Sequence, residues 1–113
     1  LIYGFFMKNI FTIAAGMTIK DALVQIEKNK HRSLIIVNDG RVVGTISDGD
    51  IRKALINNAL FIVEVTKIMN KDFHYLFEDF DITRKNEYLD KHNIFIVPIV
   101  DQEFNLLNVL TKD

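Results

Sequence analysis

Ser47 and Asp50 are the two residues of this chain whose types and spacing favour chemistry. They lie three positions apart where a strand of buried type gives way to a helix, so a hydroxyl and a carboxylate emerge beside unpaired backbone N–H groups. A carboxylate can accept hydrogen bonds from the two vicinal hydroxyls of a ribose, and a serine hydroxyl at a helix N-terminus suits a phosphate. The pair therefore predicts a nucleotide-binding site.

The same spacing has a second interpretation that needs no ligand. Ser-x-x-Asp at a helix start forms a capping box, in which Ser47 is the N-cap residue and Asp50 occupies position N3. From these two residues alone, ligand binding and helix capping are equally open interpretations.

The elements that position this turn begin near residue 10. A β-type run at residues 10–13 precedes another capping box, formed by Thr18 and Asp21, and a helix with apolar residues at helical spacing. The apolar run at 33–37 is typical of a strand covered on both faces, and the turn residues at 38–40 predict a hairpin with a strand at 42–46. The helix after Ser47 completes a β-α-β-β-α unit.

The rest of the chain repeats this unit after a short helical link at residues 65–69. The pattern predicts a strand at 73–76, a helix from Asp81 to about residue 92, and paired strands at 94–100 and 106–110. Thr18 precedes Asp81 by 63 residues and Ser47 precedes Thr111 by 64. This agreement predicts two copies of one unit, neither of which buries its apolar face alone.

The segment Gly44-Thr45-Ile46-Ser47-Asp48-Gly49-Asp50 resembles the signature of a CBS domain. With the repeat, nearly the whole chain resembles a tandem CBS pair, called a Bateman module, with repeats at residues 7–63 and 64–113. The resemblance implies an α/β fold in which two β-α-β-β-α repeats pack as a pseudo-symmetric pair. Residues 45–55 and 65–70 look like the pairs fused to sugar-nucleotide nucleotidyltransferases or sugar-phosphate isomerases.

The resemblance also implies a regulatory function, with an adenine nucleotide such as AMP, ADP or ATP bound in a cleft between the repeats. Ser47 and Asp50 carry this expectation, and Asp48 could touch a magnesium ion brought in on the phosphates. The other positions that match the family's site are Thr12, Ile13, Arg32, Ser33, Leu34, Val97, Pro98 and Thr111. No metal site belonging to the protein itself is expected, because the histidines lack metal-ligand spacing.

The second repeat departs from the family's pattern. Asn108 stands where the family has Gly, Phe95 stands where a basic residue is common, and no acid follows three residues after Thr111 in this chain. Lys85 and Asn86 occupy helix positions that are apolar in the first repeat. We therefore expect at most one nucleotide per chain, held by Ser47 and Asp50, with the Thr111 site weak or empty.

Composition narrows the classes of partner. A formal net charge of -1 over 113 residues gives no electrostatic footprint for nucleic acid or for an anionic membrane. The absence of cysteine excludes disulfides and thiol chemistry, and no spacing of a nucleophile with a base predicts a catalytic site. The sequence therefore favours a non-enzymatic protein of the cytoplasm.

The sequence also gives expectations about the two ends of the chain and about its partners. Met7 resembles a natural start, so residues 1–6 are interpreted as an addition to the natural chain. A helix like the one after Ser47 should follow Thr111, so the natural protein is expected to extend past Asp113, with a C-terminal catalytic domain as one possibility. Apolar helix faces favour a homodimer.

Two other functions remain open from the sequence. The chain could be a dimerisation module that binds no ligand, with Ser47 and Asp50 as caps only. It could instead be the regulatory fragment of a nucleotidyltransferase or a sugar-phosphate isomerase.

Overall fold

The computed structural model describes residues 10–112. The interpretation of residues 1–6 and the end of the second repeat at Asp113 lie outside this range. The described chain is a mixed α/β fold with five strands and three α-helices, which agrees with the fold class expected from the sequence.

The first sheet has the strand order β1-β2-β3. Strand β1 (Thr12–Ala14) is parallel to β2 (Ser33–Asn38), and β3 (Arg41–Ser47) is antiparallel to β2. Helix α1 (Ile19–Asn29) connects β1 to β2 and begins at the predicted capping box of Thr18 and Asp21. Helix α2 (Asp48–Ile56) follows β3 without an intervening loop, because Ser47 both ends the strand and caps the helix.

The second sheet contains β4 (Ile96–Val100) and β5 (Leu106–Thr111), which are antiparallel. The linking helix predicted at 65–69 is a single 3-10 turn at Val65–Lys67. The helix expected from Asp81 is divided into a 3-10 turn, Ile82–Arg84, and α3 (Lys85–His92). Asp81 still caps the turn by accepting a hydrogen bond from the Thr83 N–H at 3.0 Å.

The strand predicted at residues 73–76 is wrong except at its last residue. Leu76 alone bridges to Ile99. In the first repeat the Ile35 N–H donates to the Phe11 carbonyl at 2.8 Å and extends the pairing. The residue 63 positions later is Pro98, which has no N–H to donate, so the second repeat loses the same hydrogen bond.

The predicted duplication is visible in the pairing of the strands. Ile13 pairs with Ile36 in the first repeat, and Leu76 pairs with Ile99 in the second. Each antiparallel pair also has a register shift directly after these residues, at 36/37 and at 99/100. Since these features recur at the spacing of the sequence repeat, the two units share one backbone plan.

Three apolar clusters hold the repeats together. The cluster of the first repeat contains Leu34, Ile36 and Ile51, and that of the second contains Leu89, Val97 and Ile99. A middle cluster packs Ile35 and Val42 against residues of β4 and β5, namely Ile96, Val100 and Val109. Because β2 and β4 bury alternate residues in different clusters, the two sheets pack face to face and bring their strand ends together.

Candidate functional site

The turn from β3 to α2 forms the predicted capping box. The Asp50 N–H donates to Ser47 Oγ at 3.1 Å, and the Ser47 N–H donates to Asp50 Oδ2 at 3.0 Å. The capping interpretation is therefore correct for this turn. It does not exclude a ligand, because Asp50 Oδ1 and the Ser47 hydroxyl proton make no hydrogen bond with the described residues.

This turn faces a cavity of about 310 Å³ that both repeats line. The first repeat contributes the start of β2, the end of β3 and the start of α2, and the linking segment at the start of the second repeat contributes Asn70. The second repeat contributes His74 and the four residues 93–96 ahead of and within β4. A volume of this size lies at the lower end of small-molecule sites, and its position between repeats is one that such sites favour.

Arg32 connects the two sides of the cavity. Its Nε lies 2.9 Å from Asp48 Oδ2, and its guanidinium carbon lies 5.0 Å from the centroid of the Phe95 ring. Its carbonyl also accepts a hydrogen bond from the Asp48 N–H at 2.9 Å. The side chains of Arg32 and Asp48 are 56% and 30% exposed, so the ion pair is weak enough for an anionic ligand to compete for the guanidinium.

Arg52 places a second guanidinium at the N-terminus of α2. A Cβ built on Gly49 would lie 3.6 Å from Arg52 Nη2 and 3.6 Å from Ser47 Oγ, so the guanidinium and the serine hydroxyl both lie beside Gly49. Arg52 makes no ion pair with the described residues. Two guanidiniums and the carboxylates of Asp48 and Asp50 therefore line the cavity, together with the partial positive charge of the helix start.

Gly44 permits the close approach of the segment that carries Asn70. A Cβ on Gly44 would lie 2.5 Å from Met69 Sδ and 3.1 Å from the Asn70 carbonyl oxygen. Thr45 and Asn70 exchange two backbone hydrogen bonds, of 3.1 and 2.7 Å, beside this contact. Met69 and Asn70, rather than open space, therefore lie against Gly44.

His74 belongs to an aromatic group at the second-repeat side of the cavity. Its ring centroid lies 4.4 Å from that of His92, and its Nδ1 lies 3.4 Å from the Tyr88 hydroxyl oxygen. Burial raises the pKa of Tyr88. Burial also lowers the pKa of His92, and the nearby charges of His74 and Lys91 act in the same direction.

The structure brings five of the predicted site residues to this cavity: Arg32, Ser33, Ser47, Asp48 and Asp50. Thr12 and Ile13 line a different cavity of about 500 Å³ beside α1. Leu34, Val97 and Pro98 are fully buried in the core. Thr111, on β5, pairs with Ile96 of β4 and does not line the cavity.

Several lining residues were not named as site residues from the sequence. Asn93, Phe95 and Ile96 lie 63 positions after Lys30, Arg32 and Ser33, so the repeat could have indicated them. Asn70 and His74 had no such signal, because Asn70 enters through the contact at Gly44 and His74 lies in the segment that fails to form a strand.

No group of three or more histidine, cysteine or acidic residues at 10–112 is placed to hold a metal ion. Within the same range, the helices are too short or too polar to cross a membrane.

The sequence of the first repeat matches a known family. Residues 3–57 match the CBS domain family. The matched residues include the whole turn from β3 to α2.

Solved structures extend this assignment to both repeats. The CBS domain pair of protein MJ0100, in complex with 5′-methylthioadenosine and S-adenosyl-L-methionine, is 28% identical and superposes with a TM-score of 0.71, over 93% of this chain and 87% of that one. The CBS domain protein PAE2072 of Pyrobaculum aerophilum, complexed with AMP, is 19% identical with a TM-score of 0.73, over 93% and 86% of the two chains. The described fold is that of a CBS domain pair.

A longer protein contains a similar segment. The homoserine O-acetyltransferase of Methanosarcina acetivorans is 28% identical over 107 residues, which are 94% of this chain and 19% of that enzyme. The chain also spans less than half the length of the other curated proteins that it matches.

Proposed function

We propose that this chain is a regulatory module that binds an adenine nucleoside or nucleotide in the cavity between its repeats. One observation carries the proposal: Ser47 and Asp50 lie in a cavity that the two repeats close together. A ligand held there would contact both repeats and would stabilise one relative arrangement of them. That coupling is the physical basis of regulation by a small molecule.

The lining residues are suited to the three parts of a nucleotide. Asp50 Oδ1 can accept from the ribose hydroxyls, because only Oδ2 is engaged in the cap. The Ser47 hydroxyl and the guanidiniums of Arg32 and Arg52 can donate to a phosphate. Phe95 and the isoleucines at 46, 94 and 96 offer apolar surface for the base.

The likeness to MJ0100 supports an adenosine-type ligand. That protein binds 5′-methylthioadenosine and S-adenosyl-L-methionine, and its CBS pair is 28% identical to this chain. The likeness to the AMP complex of PAE2072, at 19% identity, supports the fold alone. Among the expected ligands we therefore include these two compounds beside AMP, ADP and ATP.

The regulated partner is a separate proposal. A module of this kind, with no catalytic constellation in its sequence, would act on a fused or associated enzyme. The expected nucleotidyltransferase or sugar-phosphate isomerase stays a prediction, and the homoserine O-acetyltransferase relative adds a third class of enzyme. The expected cytoplasmic location also stays a prediction.

Calorimetric titration with adenosine, AMP, ADP, ATP, 5′-methylthioadenosine and S-adenosyl-L-methionine tests the proposal. We expect at least one of them to bind, at one molecule per chain, and a double variant with Ser47→Ala and Asp50→Ala to lose that binding. The matched control carries Thr18→Ala and Asp21→Ala, which removes an equivalent cap elsewhere. If no compound binds, the alternative of a ligand-free dimerisation module gains support, and two molecules per chain would contradict the single site.

The expected homodimer is tested independently of ligand. Helix α2 and the segment after it expose large apolar side chains, including Ile56 at 72% and Ile62 at 78%. Burial of this surface by a second copy would remove it from water. Light scattering at micromolar concentration should give a dimeric mass, and a monomeric mass would contradict the proposal.

A further inference from the structure

The cavity has little net charge at neutral pH. Among the described residues that line it, Arg32 and Arg52 are cations and Asp48 and Asp50 are anions. Arg32 is already paired with Asp48. A phosphate entering this cavity would gain less Coulombic energy than it would in a site whose guanidiniums were unopposed.

His74 is the remaining described lining residue that can gain a charge near neutral pH. Its Nδ1 faces the Tyr88 hydroxyl at 3.4 Å, which leaves Nε2 as the ring nitrogen for a ligand in the cavity. A protonated imidazole at this position would change the net charge of the lining by one unit and would add an N–H donor.

The neighbours of His74 on α3 include a second histidine and charged side chains. The two histidine rings lie 4.4 Å apart, so two positive charges there would repel each other. Burial, the charge of His74 and the charge of Lys91 lower the pKa of His92. Glu87 and Arg84 share the surface around His92 and are paired with each other.

We propose that His74 is a specificity-determining residue of this cavity, and that its protonation favours a phosphate-bearing adenine ligand over the corresponding nucleoside. The inference rests on the proposed function, because it concerns the same cavity. By linkage, a bound phosphate would stabilise the imidazolium, and so phosphate binding should strengthen as the pH falls toward 6.

The ratio of the affinities for AMP and adenosine, measured by calorimetry at pH 6 and pH 8, is the test. We expect this ratio to be about tenfold higher at pH 6 in the wild-type chain, the change that a shift of one pKa unit on binding would give. AMP itself gains a proton near pH 6. His74→Gln is measured at both pH values as the control for this protonation of the ligand. In that variant the ratio of the AMP and adenosine affinities should no longer rise on acidification.

Two further measurements separate a ligand contact from a structural role. His74→Gln should bind adenosine within about twofold of the wild-type affinity, because a nucleoside offers no phosphate to the imidazole. In NMR titrations of the histidine ring signals, AMP should raise the pKa of His74 and adenosine should leave it unchanged. His92→Gln, which removes the neighbouring imidazole, should retain the dependence on pH and move it to higher pH.

The outcomes distinguish this inference from the function on which it rests. If AMP binds and the affinity ratio changes equally in the wild type and in His74→Gln, the inference is overturned while the proposed function stands. A parallel loss of adenosine affinity in His74→Gln would make the residue structural and would also overturn the inference. If neither adenosine nor AMP binds at either pH, both are overturned.

Discussion

The capping boxes of α1 and α2 have the same local geometry in different surroundings. In the first, the Thr18 N–H donates to Asp21 Oδ2 at 2.9 Å and the Asp21 N–H donates to Thr18 Oγ1 at 3.2 Å. In the second, the corresponding distances for Ser47 and Asp50 are 3.0 and 3.1 Å. The bonds that cap each helix are therefore equivalent, and the boxes differ only in what else their side chains can do.

The two capping boxes differ in the hydrogen bonding of their hydroxyl groups and in the cavities that they line. The Thr18 hydroxyl also donates to Asp21 Oδ2 at 3.0 Å, whereas the Ser47 hydroxyl donates no such bond to the described residues. Asp21 lines the cavity beside α1 that Thr12 and Ile13 also line, and Asp50 lines the cavity between the two repeats. One sequence pattern thus serves a cap alone or a cap with a ligand, and tertiary packing decides which.

The largest expected difference between the boxes is in ligand affinity. Asp50→Ala should weaken binding of the adenine ligand by about 10- to 100-fold, because a hydrogen bond to a charged group contributes about 1.5–3 kcal/mol. Asp21→Ala should leave the affinity unchanged, since Asp21 does not line the cavity. Calorimetry on both variants with the best ligand of the panel measures the difference.

Equal affinities in the two variants would remove the distinction between the boxes. The Ser47 and Asp50 pair would then be a cap and nothing more. A ligand bound with wild-type affinity in that case would have to use another cavity.

A smaller effect is expected when the packing at Gly44, on the strand that leads to the Ser47 and Asp50 capping box, is disturbed. Gly44→Ala should destabilise the fold by about 2 kcal/mol, since the new Cβ would meet Met69 Sδ at 2.5 Å and the Asn70 carbonyl oxygen at 3.1 Å. Met69→Ala in the same chain should relieve part of this cost, because the Met69 side chain is the nearer contact. Denaturant unfolding measures both variants.

Gly16→Ala is the matched control for that substitution. A Cβ at Gly16 would meet nothing within 4 Å, so stability should change little. If Gly44→Ala were equally mild, β3 would have room for a side chain at this point, and the close approach of Asn70 would not depend on glycine.

Much of the fold could be predicted because its signals are local. The capping residues Thr18 and Ser47, the apolar run of β2 and the turn residues before β3 act within a few positions of one another. The error at residues 73–76 arose because Pro98 removes a hydrogen bond donor from a strand distant in sequence. Apolar content alone did not reveal that loss.

The site was less predictable, because a cavity is a property of packing. The residues of the β3–α2 turn could be named from their types, and Arg32 and Ser33 from the family resemblance. Leu34 shows the limit of that reasoning: it is next to Ser33 in sequence, but the pleat of β2 turns it into the core. His74 and Asn70 reach the cavity only through contacts between distant segments.

The boxes should be alike in their contribution to stability. Ser47→Ala and Thr18→Ala should each lower the free energy of unfolding by about 1 kcal/mol, the usual loss for a removed N-cap. Chemical denaturation without ligand measures both losses. When adenine ligand is added, the difference in stability from the wild type should grow for Ser47→Ala and stay the same for Thr18→Ala. A loss for Ser47→Ala several times that for Thr18→Ala would show that its hydroxyl also supports the packing of the repeats.

The smallest expected effect concerns acid and the first box. The backbone hydrogen bond from Thr18, with that from its hydroxyl, lowers the pKa of Asp21 below its usual value of 3.8 in the folded chain. A carboxyl whose pKa is lower when folded contributes stability above its unfolded pKa, and that contribution is lost as the pH falls through the folded pKa.

Asp81 and Asp101 have lowered pKa values too, through hydrogen bonds from Thr83 and Asn105 respectively, so the wild-type chain should lose stability below about pH 4. Asp21→Asn should flatten this loss slightly, as measured by denaturant midpoints between pH 3 and pH 6. An unchanged slope would mean that the Thr18 bonds persist in the unfolded chain or are too exposed to affect folding.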